Sequence, residues 1–157
     1  MEIRNTEDGW IFEEIDPLIL ELLRGLPACA APDDDAARKR IFSTPTRGAD
    51  AEADNDWREY VEPELRELFK EHVDVVAADL AAMHKQDGTF TLSIPAENGR
   101  AWIHTLNQAR LALGARHGVT DDDTAGRRRH TGEKAFVIMQ IDFYGMLLGL
   151  LLGRTEL

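Results

Sequence analysis

The sequence predicts a mainly α protein, a helical bundle of about four helices with a small antiparallel β-sheet formed by an N-terminal hairpin and a strand near 89–94. Three observations carry that expectation. Apolar residues recur at helical spacing in four separate stretches, most clearly from Ala101 to His117. Strand-like alternation with turn chemistry is confined to the N-terminus and to Thr89–Ile94. A chain of 157 residues with 43% hydrophobic and 30% charged content suits one soluble domain, 1–157, that buries a core without metals or disulfides.

Taken in order, Glu2–Arg4 and Trp10–Glu13 read as two short strands joined by the turn-forming Asn5-Thr6-Glu7-Asp8-Gly9. Asp16-Pro17 is a helix start, with Asp16 capping free backbone N–H groups and Pro17 at the first helical position. Ile15 and Leu20 have the spacing of a hydrophobic staple. Leu18, Ile19, Leu22, Leu23 and Leu26 continue as a buried helix that Pro27 is expected to end. From 28 to 56 the pattern dissolves into an acidic variable loop, with Ile41-Phe42 as its apolar anchor, read as a plug at the core edge.

Asp56 is positioned to cap a helix reaching toward Lys85, with a stripe of Trp57, Val61, Leu65, Leu68, Val75, Val76 and Met83. Pro63 either kinks it or places its true start near Glu62. Phe90, Leu92 and Ile94 alternate in the best strand of the chain, expected to join the hairpin in a three-stranded sheet. Pro95 is expected to open the central helix. There Trp102, Leu106, Ala109 and Leu113 form a narrow stripe, Arg110 and His117 lie beside it, and Leu111 lies on the far side. Apolar residues on two faces call for neighbours on two faces, which places this helix at the bundle centre. Gly118 closes it. A charged loop, 120–132, is acidic in its first half and basic in its second, and a final apolar helix runs from about Glu133 to Gly153.

The formal net charge of −11 argues against general nucleic-acid binding, which needs a basic surface to release counterions, and against docking on anionic lipid. One cysteine, Cys29, excludes an internal disulfide and fits a reducing, cytoplasmic setting. The N-terminus lacks a basic segment followed by an apolar run, so no signal peptide is expected.

Within the central helix, Trp102, Leu106, Asn107, Arg110, Leu111, Leu113, Gly114 and Arg116 match a Trp-Leu-x-x-Leu-Asn-x-x-Arg-Leu-x-Leu-Gly-x-Arg pattern, and Asp121-Asp122-Asp123 follows. The segment is similar to the signature of DUF2017, an uncharacterised bacterial family found mainly in actinobacteria. The specific motif covers about twenty residues, and the layout of most of the chain is similar too. The resemblance implies no assigned activity. It does imply a neighbourhood, because members often lie beside the adaptor that feeds substrates to the Clp protease, which points to Clp-type proteolysis components as partners. The final helix departs from the family, carrying Phe143, Tyr144 and glycines where tryptophans are usual.

Two constellations stand out. Gly145, Gly149 and Gly153 recur every four residues, a ridge that lets another backbone approach. It reads either as packing against the central helix or as a dimer or partner interface. The second is a set of polar residues near apolar arcs. Asp142 is expected to pair with Arg110 or Arg116 across the last two helices. It does so either as a lock on helix register or, with Asn107, as a polar pocket for a small anion or peptide terminus. His72 and Asp79 share a face but stand two turns, about 10.5 Å, apart. No histidine pair has metal-ligand spacing, and the chain has no nucleophile elbow, P-loop or dinucleotide fingerprint. No catalytic residue, metal or cofactor is therefore assigned. The acidic triplets Asp33–Asp35 and Asp121–Asp123 lack the alternation of a calcium loop.

Three functions remain open. The first is a non-enzymatic helical interaction or regulatory protein, dimerising through the last helix and linked to regulated proteolysis. The second is a small-molecule or peptide-terminus binder, or minor enzyme, using the Arg110/Asp142 pocket. The third is a protein anchored in a membrane by its last helix. That reading is disfavoured because Gln140 and Asp142 interrupt the apolar run, although Arg127-Arg128-Arg129 precedes it.

Overall fold

The computed structural model describes residues 1–124 and 131–155. It is mainly helical with a small antiparallel sheet. Among the described residues the elements run β1 (Glu2–Thr6), β2 (Gly9–Ile15), α1 (Pro17–Ala30), α2 (Asp35–Ile41), α3 (Ala51–Tyr60), α4 (Glu62–Ala81), β3 (His84–Gln86), β4 (Thr89–Pro95), a 3-10 turn (Ala96–Asn98), α5 (Gly99–His117), α6 (Asp121–Thr124) and α7 (Gly132–Thr155).

The sheet has four strands rather than three, in the order β1-β2-β4-β3, because the residues before Gly88 fold back on β4 as a short edge strand. In β2, Phe12 and Ile15 are both buried although three residues apart, a spacing that would turn them to opposite faces of a regular strand. Glu14, at φ 53°, sits at a register shift between them and restores both to the core side.

Asp16 caps α1 as its sequence predicts, its Oδ1 accepting the Ile19 N–H at 2.9 Å. Pro27 does not end the helix, which continues to Ala30 with the proline inside. The last carbonyls of α1 are held from a distance: Gln108 donates to Ala30 O, and Arg116 donates to Cys29 O and Ala31 O. These bonds satisfy groups that a helix end otherwise leaves to solvent. Leu18 is exposed, on the outer side of α1.

The 28–56 segment, expected to be an acidic loop, contains α2 and most of α3. Asp34 caps α2 through Ala37 N–H, and Asp50 caps α3 through Ala53 N–H. Asp54 is buried and accepts from Thr46 N, Thr46 Oγ1 and Gly48 N, tying the connection between the two helices to α3. Phe42 is the expected plug, stacked on Phe69 at 5.4 Å with the Arg66 guanidinium 4.8 Å from its ring centre.

Of the two readings at Pro63 the start near Glu62 holds, and Asp56 caps neither helix, since it lies inside α3, which Asp50 caps. The chain breaks at Val61, and α4 begins at Glu62 with Pro63 in its first turn, where the missing N–H costs nothing. Val61 and Leu68 are exposed, while Val76 and Leu80 are buried.

Trp102, Leu106, Ala109 and Leu113 are buried, and α5 packs against α1, α2, α4 and α7, which confirms it as the centre. Pro95 ends β4 instead of opening α5, which starts after the 3-10 turn. Gly118 closes α5 in the left-handed region at φ 60°, ψ 35°. Of the 120–132 charged loop, 121–124 form α6 and Gly132 begins α7. Residues 125–130, with Arg127-Arg128-Arg129, lie outside the described residues, as do Glu156 and Leu157.

Candidate functional site

The seam between α5 and α7 holds an open cavity of about 600 Å³. Asn107 and Arg110 of α5 line it, with Asp142 of α7, Arg40 of α2, and Thr120 and Asp121 just after α5. Three of the four polar residues singled out from the sequence thus meet in one place.

They do not meet as expected. No ion pair within 4.0 Å joins Asp142 to Arg110 or Arg116 among the described residues. Asp142 is exposed and keeps its hydration, so it has no need of a buried partner. Arg116, in the last turn of α5, reaches the other way, toward the end of α1. Its Nε contacts Asp34 Oδ1 at 2.5 Å, and its Nη groups cap Cys29 O and Ala31 O. That guanidinium holds the Asp34 carboxyl below the usual carboxylate range. Arg116 is therefore a clamp joining α5, α1 and α2.

Arg110 is half-buried. Its Nε is buried with no hydrogen-bond partner, and neither Nη group has a bond among the described residues. Its position follows from Gly145. A Cβ added there would lie 3.3 Å from Nε, 3.4 Å from Cζ and 3.6 Å from Nη2. These near-equal distances put the missing methyl over the face of the guanidinium. Gly145 thus makes room for an arginine rather than for a helix backbone. Gly149 and Gly153 are exposed and have open space where a Cβ would stand, so only one glycine of the ridge faces α5.

The remaining polar candidates are absorbed by packing. Asp79 accepts from Asn98 Nδ2 and, at 2.8 Å, from Trp102 Nε1, linking α4 to the start of α5. His72 stacks on His104 with ring centres 4.8 Å apart, and its Nδ1 is buried without a partner. Burial pushes both imidazoles below the ordinary histidine range. Asp123, inside α6, closes the turn that opens that helix. It accepts from Thr120 N and Oγ1 and pairs with Lys134 at 3.4 Å, and these contacts lower its carboxyl to about 2. Burial pushes the Cys29 thiol up, which keeps it protonated at neutral pH and a poor nucleophile. Tyr144, fully buried, donates its hydroxyl to Leu22 O at 2.7 Å.

Sequence reasoning missed Arg40, Gln108 and Asp34. An aspartate, Asp34, just before Asp35-Ala36-Ala37-Arg38 is a helix-start signal that would have placed α2, and with it Arg40. Nothing local pointed to Gln108, whose partner lies 78 residues away.

Two surface features complete the picture. Residues Gly132–Gly153 form a helix that is, by length and composition only, long and apolar enough to cross a membrane. Among the described residues, no group of three or more His, Cys, Asp or Glu side chains is arranged to hold a metal ion.

A family model described as a domain of unknown function, DUF2017, matches residues 10–154. No curated protein and no solved structure matches the chain.

Proposed function

The chain belongs to the DUF2017 family, and on that premise we propose that it is a non-enzymatic bacterial interaction or regulatory protein of the cytoplasm. In this reading the four longest helices, α1, α4, α5 and α7, act as a bundle, and α7 presents its outer face to a partner. The partner proposed is a second copy of the chain, and the homodimer engages components of Clp-type proteolysis. That last link rests only on the family resemblance.

The observation that supports the docking reading is the outer face of α7. Met146 and Leu150 stand 48% and 43% exposed, and Gly149 and Gly153 lie open beside them. Each glycine costs a helix interior up to about 1 kcal/mol relative to alanine. Neither Gly149 nor Gly153 recovers that cost through contacts inside the chain. Apolar side chains flanking a track without Cβ atoms suit the close approach of a second helix.

Sedimentation velocity at micromolar concentration tests this. The expected result is a dimer that Gly149→Leu converts to a monomer, with unchanged circular dichroism because the position is exposed and a Cβ there meets nothing within 4 Å. A wild-type monomer indifferent to Gly149→Leu overturns it. Partition of the intact chain into the membrane fraction overturns it in favour of an α7 anchor.

A further inference from the structure

We propose that the α5–α7 cavity binds a small amino-carboxylate zwitterion, its carboxylate on Arg110 and its ammonium at Asp142. The inference concerns the seam and does not depend on how the outer face of α7 is used.

The charge pattern carries it. Arginine in a chain of net charge −11 has no shortage of carboxylates, and Arg116 takes one. Arg110 and Arg40 face the same cavity, and neither forms an ion pair among the described residues. Asp142 lines the cavity too, farther from Arg110 than ion-pair distance. Asp121 is already engaged within the chain. The cavity therefore offers two uncommitted guanidinium groups and one uncommitted carboxylate, held apart by an open volume.

Arg110 is also held in place without being used. Its Nε is buried and unbonded, and Gly145 packs over its face. Contact over the face does not cover the Nη1–Nη2 edge, and such an edge can take a carboxylate through two parallel hydrogen bonds. The buried, unbonded Nε is a cost that the fold bears at this position. The Asn107 amide and the Thr120 hydroxyl add neutral polar groups to the wall. A polyanion such as phosphate would meet Asp142 and Asp121 with like charge. A monocarboxylate bearing an ammonium complements both signs.

The experiment is heteronuclear NMR on the isotopically labelled full chain, following the Arg110 Nε–H and the Asp142 backbone amide. The Nε–H is shielded from solvent and gives its own signal. The probes are glycine, γ-aminobutyrate and ε-aminohexanoate, which differ in charge separation, with butyrate, butylammonium and inorganic phosphate as controls at constant ionic strength. At least one zwitterion is expected to shift both signals saturably. Butyrate should shift only the Arg110 signal, about tenfold more weakly, and butylammonium and phosphate should leave it in place. Asp142→Asn should erase the advantage of the zwitterion over butyrate, and Arg110→Gln should abolish both responses. Should Arg110→Gln fold poorly, Arg40→Gln, at an exposed position, should weaken binding several-fold with the fold intact. The proposal is overturned if no zwitterion moves the Arg110 signal, if phosphate binds as well as the zwitterions, or if binding is unchanged in Asp142→Asn.

Discussion

Arg110 and Arg116 stand on the same helix, less than two turns apart, and meet opposite surroundings. Arg116 reaches away from the seam to the end of α1, where an aspartate and two helix-terminal carbonyls accept from it. Arg110 faces α7, where a glycine makes room for it and nothing bonds it. A charge whose every nitrogen has an acceptor holds helices together. A charge held in position without acceptors adds little to the fold and is free to meet a ligand. Two nearby positions on one helix thus separate scaffold from site.

The sharpest way to break this comparison is to remove each arginine. Arg116→Met is expected to cost about 2–3 kcal/mol, because it strips the cap from α1 and the partner from Asp34. Urea denaturation would show it as a lower midpoint. Arg110→Met, by contrast, is expected to fall within about 0.5 kcal/mol of wild type, since it deletes a donor that is already unpaired. Equal losses for the two would mean that Arg110 is scaffold after all.

A smaller effect distinguishes the glycines beside the two environments. Gly149→Ala should stabilise the dilute monomer by up to about 1 kcal/mol, as helix propensity predicts at an open position. Gly145→Ala should lose that gain, because the new methyl presses on the Arg110 guanidinium at 3.3 Å. Thermal melts of the two variants should therefore move apart, and coincident melts would place Arg110 away from Gly145.

The third test concerns a contact that is packed yet titratable. Burial, the adjacent ring and Arg100 hold His72 below its ordinary value, and burial and Arg100 do the same for His104. The unfolded chain therefore takes up protons at higher pH than the folded one. Stability from the stack is complete above the unfolded value of 6.5 and is lost as pH falls through the lowered folded values. Denaturation midpoints should decline from neutral to mildly acid pH, and His104→Gln should flatten that decline. An unchanged decline in the variant would assign it elsewhere.

What could be read from the sequence follows from the range of the interactions involved. The Asp16-Pro17 start, the helical stripe of α5 and the glycine that ends it are set by neighbours a few residues away. The helices α2 and α3 also carry local caps, but their few apolar residues leave no periodic stripe, so the acidic composition reads as loop. For the candidate site, composition and helical spacing brought Asn107, Arg110 and Asp142 to one seam. They could not say which arginine would be paired. The glycine ridge was visible as a spacing, and its division into one buried contact and two open positions was not.

The sequence by itself determined the class of the fold, the central helix and the ends of the elements with strong caps, because backbone hydrogen bonding and capping act within a turn or two. The tertiary structure alone decided that Pro27 lies inside α1 and that Arg116 is a clamp while Arg110 is left without a partner. Those outcomes depend on acceptors that packing brings together across 78 to 87 residues of chain. An arginine is satisfied or left open according to which helix end it meets, and no local pattern encodes that meeting.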